Sequence, residues 1–253
     1  MDAGERLKHS FGATRVDEEE RRRLIRETFA GVAPRYDLMN DLMSTGIHRI
    51  WKAALVRHGR PNPEDIVLDL GGGTGDIAFA LAASAAHVLV ADPSPQMMGQ
   101  GQAREGQMRE GQMRQPAPGI TWVAAEAEAL PFTDGSIDLV VISFAIRNAT
   151  NIERALGEIA RVLKPGGRFH CLEFSTPQPW LAPFYGMWSR TVIPVLGAVV
   201  SGERRAYRYL IESIRQFPDQ AEFAGLIAAS GMTDVSWRNL SFGIAALHSA
   251  RKP

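Results

Sequence analysis

The glycine-rich segment after the first strongly apolar strand constrains the fold of this chain more than any other feature. Ile66–Leu70 has the composition of that strand, and an alanine-rich helix is expected to begin near Asp76. Between them, Gly71, Gly73 and Gly75 reach positive φ at low cost and let a ligand approach backbone N–H groups. The pattern predicts a Rossmann-like α/β fold with a ligand cradle, although an ordinary strand-to-helix turn can contain the same glycines.

The spacing of the glycines distinguishes between nucleotide ligands. The dinucleotide fingerprint has its third glycine one position after Gly75, where this chain has Asp76. An acidic residue that opens a helix repels phosphate, so the spacing disfavours NAD. S-adenosylmethionine fits better because its sulfonium, amino group and ribose hydroxyls favour carboxylates, and Asp69 lies two residues ahead of Gly71.

A second acidic residue supports this prediction. His87–Asp92 is another apolar strand, and Asp92 follows Gly75 by about 17 residues, near the roughly 20-residue offset of a ribose-binding carboxylate. By itself, an acid before Ser94 and Pro95 is more often part of a helix cap. Together with the glycine segment, the ligand-binding interpretation of Asp92 is favoured.

Composition excludes several classes of function. The 253 residues suit one α/β domain with additions, and 28 basic residues balance 28 acidic ones, so a nucleic-acid partner is not expected. The single cysteine, Cys171, excludes an intrachain disulfide. The six histidines show no metal-ligand spacing, and we therefore predict no metal site.

The termini and apolar runs predict where the protein resides. The first residues lack the apolar core of a secretory signal. The longest apolar region, 180–200, is interrupted by Arg190 and Pro194 and is too short for a spanning helix. We expect a soluble protein of the cytoplasm, and peripheral contact with the inner face of the membrane stays open.

The N-terminal region is predicted to contain a lid. Residues 1–16 are expected to be poorly ordered on their own, and the charged run 17–23 is interpreted as the solvated face of a helix. The methionine-rich amphipathic segment 36–44 would project polar side chains toward a ligand, an interpretation weighed equally with simple packing. These polar side chains are Tyr36, Asp37 and Asn40, with His48 just beyond.

Polar residues also follow the later strands. Glu126, just beyond the strand Ile120–Ala124, is placed to meet an adenine amino group, or is part of an ordinary polar loop. Arg147 and Asn148 follow the apolar strand Ile137–Phe144 at the edge where such folds bind ligands. Ahead of the strand Ile120–Ala124, the chain contains the glycine repeat Gly101–Arg114. Its glycines weaken a helix, and we interpret the repeat as a mobile surface segment without chemistry.

With these segments in place, the chain resembles the UbiE/MenG-type C-methyltransferases of ubiquinone and menaquinone synthesis, from about Phe11 to the C-terminus. The Gly101–Arg114 repeat has no counterpart in that family. The motifs that carry the resemblance are Val32–Ser44, His48–Lys52, Asp69–Asp76, Ser143–Asn148, Arg161–Gly167, Leu172–Ser175, Tyr207–Ile214 and Gly243–His248.

The resemblance implies a class I methyltransferase fold, with a mostly parallel sheet of seven strands, the last of them reversed, and helices on both faces. Residues 1–60 would form the lid or substrate cap, and 61–253 the S-adenosylmethionine-dependent domain, with an apolar cap insertion at about 176–216. The motifs carry the cofactor positions over to Thr74, Asp92, Glu126 with Ala127, and Ser143. Glu126 and Ala145 depart from the usual Asp or Asn and the usual glycine of the family.

The resemblance also implies methylation of a ring carbon on a polyprenyl quinol, either a benzoquinol, a naphthoquinol or both. A ring carbon becomes a good nucleophile when a neighbouring hydroxyl loses its proton. Arg147 would stabilise that phenolate and Asn148 would orient it, while a structural ion pair is the alternative for Arg147. The quinol side would be lined by Tyr36, Asp37, Asn40 and His48, with His48 or Asp37 the candidate base.

Other functions are open at this point. These are another small-molecule methyltransferase, a nucleotide-binding dehydrogenase, and a non-catalytic component that binds other quinone-biosynthesis enzymes. The cofactor motifs alone do not separate the first of these from a quinol C-methyltransferase, and they leave the oligomeric state undetermined.

Overall fold

The computed structural model describes residues 10–12, 14–32, 41, 44, 46–111, 119–181, 183, 186 and 204–253. The strands are β1 Ser10–Phe11, β2 Thr14–Arg15, β3 Ile66–Leu70, β4 His87–Asp92, β5 Gly119–Ala124, β6 Ile137–Ser143, β7 Leu163–Phe174, β8 Thr233–Leu240 and β9 Ala245–Arg251. The α-helices are α1 Glu18–Val32, α2 Ile47–His58, α3 Asp76–Ala82, α4 Pro95–Gly111, α5 Ile152–Val162, α6 Arg204–Gln216 and α7 Gln220–Ala229.

A seven-stranded sheet organises the protein, in the order β5-β4-β3-β6-β7-β9-β8. The strands from β5 to β7 pair in parallel, and β9 runs antiparallel to both of its neighbours. The predicted mostly parallel sheet with a reversed last strand is confirmed. Because the carboxyl ends of the parallel strands meet at one edge, the glycine segment after β3 and the residues that end β4, β5 and β6 come together there.

The central strands are apolar throughout because helices cover both faces of the sheet. Val67 and Leu68 of β3 face opposite sides, and both are fully buried. Leu68 belongs to the core with α5 and α7, to which Leu156 and Phe223 contribute. Val67 belongs to the core with α2 and α3, which Leu55 helps to form. Burial of this apolar surface holds β3, and therefore the turn that follows it, in a fixed position.

Helix and strand boundaries follow local hydrogen bonds. Asn151 caps α5, since its side chain accepts a hydrogen bond from the backbone N–H of Arg154. Asp219 caps α7 in the same way, through the backbone N–H groups of Ala221 and Glu222. β7 starts at Leu163, which pairs with Ile137 of β6 ahead of a register shift.

The glycine repeat lies mostly on the surface, as expected, but its first residue is packed against the sheet. Helix α4 continues to Gly111, and Gly101 is buried against the indole of Trp122. Trp122 Nε1 donates to a Glu105 carboxylate oxygen at 2.9 Å. The absence of a Cβ at Gly101 allows the close approach of the indole, which compensates the weak helix propensity of glycine.

The N-terminal segment, which is expected to be poorly ordered on its own, is ordered in the part that the structure describes. Strands β1 and β2 pair antiparallel. Ser10 Oγ donates to Gln216 Oε1 of α6 at 2.8 Å, and Phe11 stacks on the Tyr209 ring at a centroid distance of 4.4 Å. Contacts with a helix far along the chain therefore order this segment.

Parts of two predicted regions lie outside the described residues. Tyr36, Asp37 and Asn40 of the predicted lid are among them, as is most of 182–203 in the expected apolar cap. In the part of the chain that is described, none of the helices has the length and apolar character required to cross a membrane.

Candidate active site

A cavity of about 1100 Å³, counting the space open to solvent, lies at the carboxyl edge of the parallel strands. Gly75 is the one predicted cofactor residue missing from its wall, and it is instead the N-cap residue of α3, with a φ of 83°. The predicted cofactor residues on the wall are Asp69, Gly71, Gly73, Thr74, Asp92, Glu126, Ala127 and Ser143.

Gly71 and Gly73 shape the floor of the cavity through their backbones. Gly71 has a φ of 67°, and a Cβ placed on it would lie 2.3 Å from the Cβ of Ala145. Gly73 has a φ of 55°, and its backbone N–H donates to Asp92 Oδ2 at 3.0 Å. Two separate features of the sequence pattern, the glycine segment and the acid that ends β4, are thus joined by a hydrogen bond.

The position of Asp92 is compatible with both of the roles considered from the sequence. Its Oδ1 accepts a hydrogen bond from the backbone N–H of Ser94 at 2.8 Å, which helps the chain enter α4. The side chain also lies on the cavity wall. Burial raises the pKa of Asp92 to about 6, against the opposing hydrogen bonds from Ser94 and Gly73. At neutral pH the carboxylate is ionised and can accept hydrogen bonds from a bound ribose.

Asp69 and Ser143 place buried polar atoms at the cavity. Asp69 Oδ2 accepts from the backbone N–H of Ala78 at 3.0 Å, and burial raises the pKa of Asp69 to about 7. Ser143 Oγ is buried without a hydrogen-bond partner among the described residues. A buried hydroxyl on a cavity wall is expected to hydrogen-bond a ligand, so the donor set fits a nucleoside cofactor.

The acid at the start of α3 is compensated by two cations. Lys52 Nζ lies 3.0 Å from Asp76 Oδ2, and Arg104 Nη1 lies 2.8 Å from Asp76 Oδ1. Burial acts to raise the pKa of Asp76, but Lys52 and Arg104 outweigh it and hold that pKa below its usual value. Repulsion of phosphate by Asp76 is therefore weaker than the sequence alone implies.

Arg147 lies beneath the cavity and is not among the described residues that line it. Its Nη1 donates to Glu173 Oε1 at 2.8 Å and to the carbonyl of Phe144, and both charged side chains are buried. Burial raises the pKa of Glu173, and Arg147 opposes this shift. The ion pair considered as the alternative for Arg147 is thus present, while Arg147 Nε has no partner among the described residues.

Asn148 does line the cavity. Its Oδ1 accepts a hydrogen bond from the Tyr209 hydroxyl at 3.0 Å. Because the amide oxygen is occupied in this way, the amide NH₂ group remains to donate to a ligand. The sequence analysis did not select Tyr209, which lies 61 positions away in the chain.

His48 is buried at the start of α2 and is likewise not among the described lining residues. Its Nδ1 is 2.7 Å from Ser44 Oγ, and its Nε2 is 3.8 Å from Asp41 Oδ1. Burial, and then the nearby charge of Lys52, lower the pKa of His48, so the imidazole is neutral at pH 7. The structure does not bring His48 into the cavity beside Asn148.

Helix α1, which belongs to the region 1–60 expected to form the lid or substrate cap, lines one side of the cavity with residues that were not selected from the sequence. Arg26 Nη1 lies 4.0 Å from Glu126 Oε1. Burial, and then Glu128, raise the pKa of Glu126. The α1 residues on the wall are Arg22, Ile25, Arg26 and Phe29.

Arg21, in the charged run of α1, is buried, so the interpretation of that run as a solvated face is wrong at this position. Its guanidinium donates to backbone carbonyls of the turn 146–149. In the described part of the chain, no group of three acidic, histidine or cysteine side chains is arranged to hold a metal ion.

Comparison with known proteins identifies the family. The ubiE/COQ5 methyltransferase family matches residues 14–252. A Rubrivivax gelatinosus protein named ubiquinone/menaquinone biosynthesis C-methyltransferase UbiE is 54% identical over 242 residues, covering 96% of this chain and 92% of that protein. A protein of the same name from Brucella anthropi is 47% identical over 252 residues, covering 97% of this chain and 94% of that one.

A solved structure shows the same fold. The methyltransferase in complex with the Haloferax volcanii Trm112 methyltransferase activator matches with a TM-score of 0.64 at 22% identity, over 90% of this chain and 97% of that chain. The resemblance seen in the motifs is confirmed by the family match and by the near full-length relatives. The chain belongs to the ubiE/COQ5 methyltransferase family.

Proposed function

We propose that this protein transfers a methyl group from S-adenosylmethionine to a ring carbon of a polyprenyl quinol in ubiquinone or menaquinone biosynthesis. The observation that carries the proposal is the 54% identity, over 96% of the chain, to a protein named for that C-methylation. Identity at this level over nearly the whole length does not favour another small-molecule methyltransferase or a non-catalytic component. The fold match is consistent with the proposal but does not carry it, because one fold hosts many chemistries.

The residues around the cavity fit this cofactor. Asp92 would accept hydrogen bonds from the ribose hydroxyls, and the backbone of Gly71 and Gly73 gives close access to the ligand. Glu126 with Ala127 would meet the adenine, and Ser143 Oγ supplies an unpaired buried hydroxyl. When bound, S-adenosylmethionine supplies an electrophilic methyl group.

The turn after β6 would act on the quinol. Asn148 presents its amide NH₂ at the cavity wall and would donate to the phenolate oxygen beside the reacting carbon. Arg147 would contribute positive charge from beneath, directly or through a water, but its pairing with Glu173 reduces that charge. His48 and Asp37 are the candidate bases; His48 is neutral at pH 7, as a base must be, but burial lowers its pKa and it is not among the described residues that line the cavity.

Residues 1–60 and 176–216 would cover the substrate. Ile25 and Phe29 of α1 already give the cavity an apolar wall, which suits the hydrocarbon of a prenyl chain. Collection of such a substrate would bring the protein into peripheral contact with a membrane surface.

The direct test supplies purified protein with S-adenosylmethionine labelled in its methyl group and either a demethylated naphthoquinol or a demethylated benzoquinol. We expect label on the ring carbon of at least one quinol, identified by mass spectrometry. Retention of all label in the cofactor with both quinols, despite measurable cofactor binding, would contradict the proposal.

Two variants separate chemistry from stability at this site. Asn148→Ala is expected to keep cofactor binding and lose most turnover. For Arg147, the single change Arg147→Ala leaves Glu173 buried and unpaired, which destabilises the fold. The double variant Arg147→Gln with Glu173→Gln removes both charges, so a loss of turnover with cofactor binding retained would indicate that Arg147 acts in the reaction.

A further inference from the structure

The guanidinium of Arg21 hydrogen-bonds to the backbone of the turn that carries Arg147 and Asn148. Its Nη1 donates to the carbonyl of Ala149 at 2.7 Å and to that of Asn148 at 3.2 Å. Its Nη2 donates to the carbonyl of Arg147 at 3.2 Å. One planar guanidinium thus contacts three consecutive carbonyls, a geometry that a lysine ammonium does not reproduce.

Because Arg21 is buried, its guanidinium depends on these hydrogen bonds. Arg21 is 1% exposed, and its Nε donates to the carbonyl of Ser10 in β1 at 2.8 Å. Each hydrogen bond found for Arg21 ends on a backbone oxygen, and none ends on a carboxylate among the described residues. A buried cation is costly unless it is hydrogen-bonded, so Arg21 and the turn constrain one another.

Tyr209 fixes the orientation of the Asn148 side chain in the same turn through a hydrogen bond. Its hydroxyl donates to Asn148 Oδ1 at 3.0 Å, and its ring stacks on Phe11 with an interplanar angle of 14°. The ring is held in the small core formed with Leu24 and Ile25 of α1. The hydroxyl therefore meets the amide oxygen of Asn148 from a fixed position, which leaves the NH₂ side of the amide for the cavity.

We propose that Arg21 and Tyr209 are positioning residues: Arg21 places the backbone of the turn 147–149, and Tyr209 turns the Asn148 amide so that its NH₂ group faces the quinol oxygen. This inference rests on the proposed methylation of a quinol. Neither residue lies on the cavity wall, so neither is expected to touch the cofactor.

The test measures kcat and KM for the quinol, and the affinity for S-adenosylmethionine, in the full-length protein. Turnover is expressed per cofactor-binding site, so that loss of folded protein does not count. Tyr209→Phe keeps the ring and removes the hydroxyl, and we expect kcat to fall about fivefold or more, the effect of one hydrogen bond. Arg21→Lys keeps the positive charge but loses the planar guanidinium that reaches three carbonyls, and we expect kcat to fall about tenfold or more. The cofactor affinity should change by less than about threefold in both.

Matched controls come from the same chain. Ser213→Ala removes another buried hydroxyl of α6, one that donates to the carbonyl of Leu210. Arg168→Lys changes an arginine that donates to the carbonyl of Arg60 at the opposite edge of the sheet. Both controls should keep kcat per binding site within about twofold of the wild-type value, the range expected for changes remote from the site.

A double-mutant cycle shows whether Tyr209 acts through Asn148. If it does, Tyr209→Phe should have no further effect on kcat in an Asn148→Ala background. The inference is overturned if the effects multiply, or if Tyr209→Phe retains wild-type kcat per site. If Arg21→Lys does not fold, the Tyr209 cycle alone decides. Failure of the wild-type protein to methylate either quinol would instead overturn the proposed function, and the inference with it.

Discussion

Gly73 donates its backbone N–H to Asp92 Oδ2 across 3.0 Å, and this bond joins the turn after β3 to the end of β4. The donor belongs to a residue in the left-handed region, with a φ of 55°. The acceptor is a buried carboxylate whose other oxygen bonds the backbone N–H of Ser94. The conformation of the glycine turn and the ionisation of Asp92 are therefore coupled.

Replacement of Asp92 by asparagine should weaken cofactor binding. Hydrogen bonds to a charged group contribute about 1.5–3 kcal/mol, so we expect the Kd for S-adenosylmethionine in Asp92→Asn to rise by about tenfold or more. Isothermal titration calorimetry at pH 8 measures this. Asp138→Asn, which changes a carboxylate that accepts from Ile66 at the amino edge of the sheet, serves as the control. An unchanged Kd in Asp92→Asn would exclude the ribose-binding role.

The same contact predicts a pH dependence of binding. The pKa of Asp92 is raised to about 6, so the carboxylate is ionised above that pH and becomes protonated as the pH falls through it. Protonation removes acceptor capacity, so the Kd of the wild-type protein should rise below about pH 6. The Kd ratio of Asp92→Asn to wild type should then shrink as the pH is lowered from 8 to 5. A ratio that is constant with pH would contradict the raised pKa.

Asp69 should make the cofactor-free protein less stable as the pH rises. Its pKa is raised from 3.8 to about 7 by burial, so between these values the folded state holds a proton that the unfolded state has released. Stability then falls with increasing pH, by up to about 1.4 kcal/mol per pH unit for one group. Urea unfolding from pH 4 to 8 should show this slope as the difference between the wild-type protein and Asp69→Asn. A difference that is flat with pH, or rises, would contradict it.

Gly71→Ala should lower both stability and cofactor affinity, and a second change should restore part of the loss. The added Cβ would lie 2.3 Å from the Cβ of Ala145 at a φ of 67°. Ala145→Gly removes the steric overlap but not the strain of the left-handed backbone, which is about 1 kcal/mol. Thermal unfolding with and without cofactor should place the double variant between Gly71→Ala and wild type. Equal behaviour of the single and double variants would show that Ala145 is not the obstacle.

Two glycines of the same helix should respond to alanine in opposite directions. A Cβ on Gly101 would lie 2.2 Å from the Trp122 ring, whereas a Cβ on Gly106 meets nothing within 4 Å. We expect Gly101→Ala to destabilise the protein by about 1–3 kcal/mol and Gly106→Ala to stabilise it by about 0.5–1 kcal/mol. Chemical denaturation measures both. Stabilisation by Gly101→Ala would contradict the packing of α4 on β5.

Local patterns explain why much of the fold and the cofactor residues could be predicted. The strands β3, β4 and β6 are short, apolar and buried on both faces, and this composition is visible in the chain itself. Asp92 was identifiable because a parallel strand places its next residues at a known edge. Gly75 shows the limit of such a pattern, since this glycine of the motif is the N-cap residue of α3 and does not line the cavity.

Arg21 and Arg147 show what local patterns miss. Arg21 stands in a run of charges that suits a solvated helix face, yet it is buried because carbonyls 126 to 128 positions away satisfy its donors. Arg147 follows a strand at the expected edge, but Glu173, at the end of the neighbouring strand, draws its side chain into an ion pair. The spacing of residues in the sequence does not reveal the partners of Arg21 or Arg147, because these residues become neighbours only when the sheet has formed.

The sequence by itself determined the order and type of the core elements and the position of the cofactor cradle, because apolar periodicity, glycine spacing and strand-end acids act over a few residues. The tertiary structure decided which polar side chains face the cavity, how Asp76 is neutralised by Lys52 and Arg104, and how α1 and α6 hold the turn at Asn148. The physical reason is that burial and hydrogen-bond partners depend on contacts between distant segments, and these contacts exist only after the sheet has assembled.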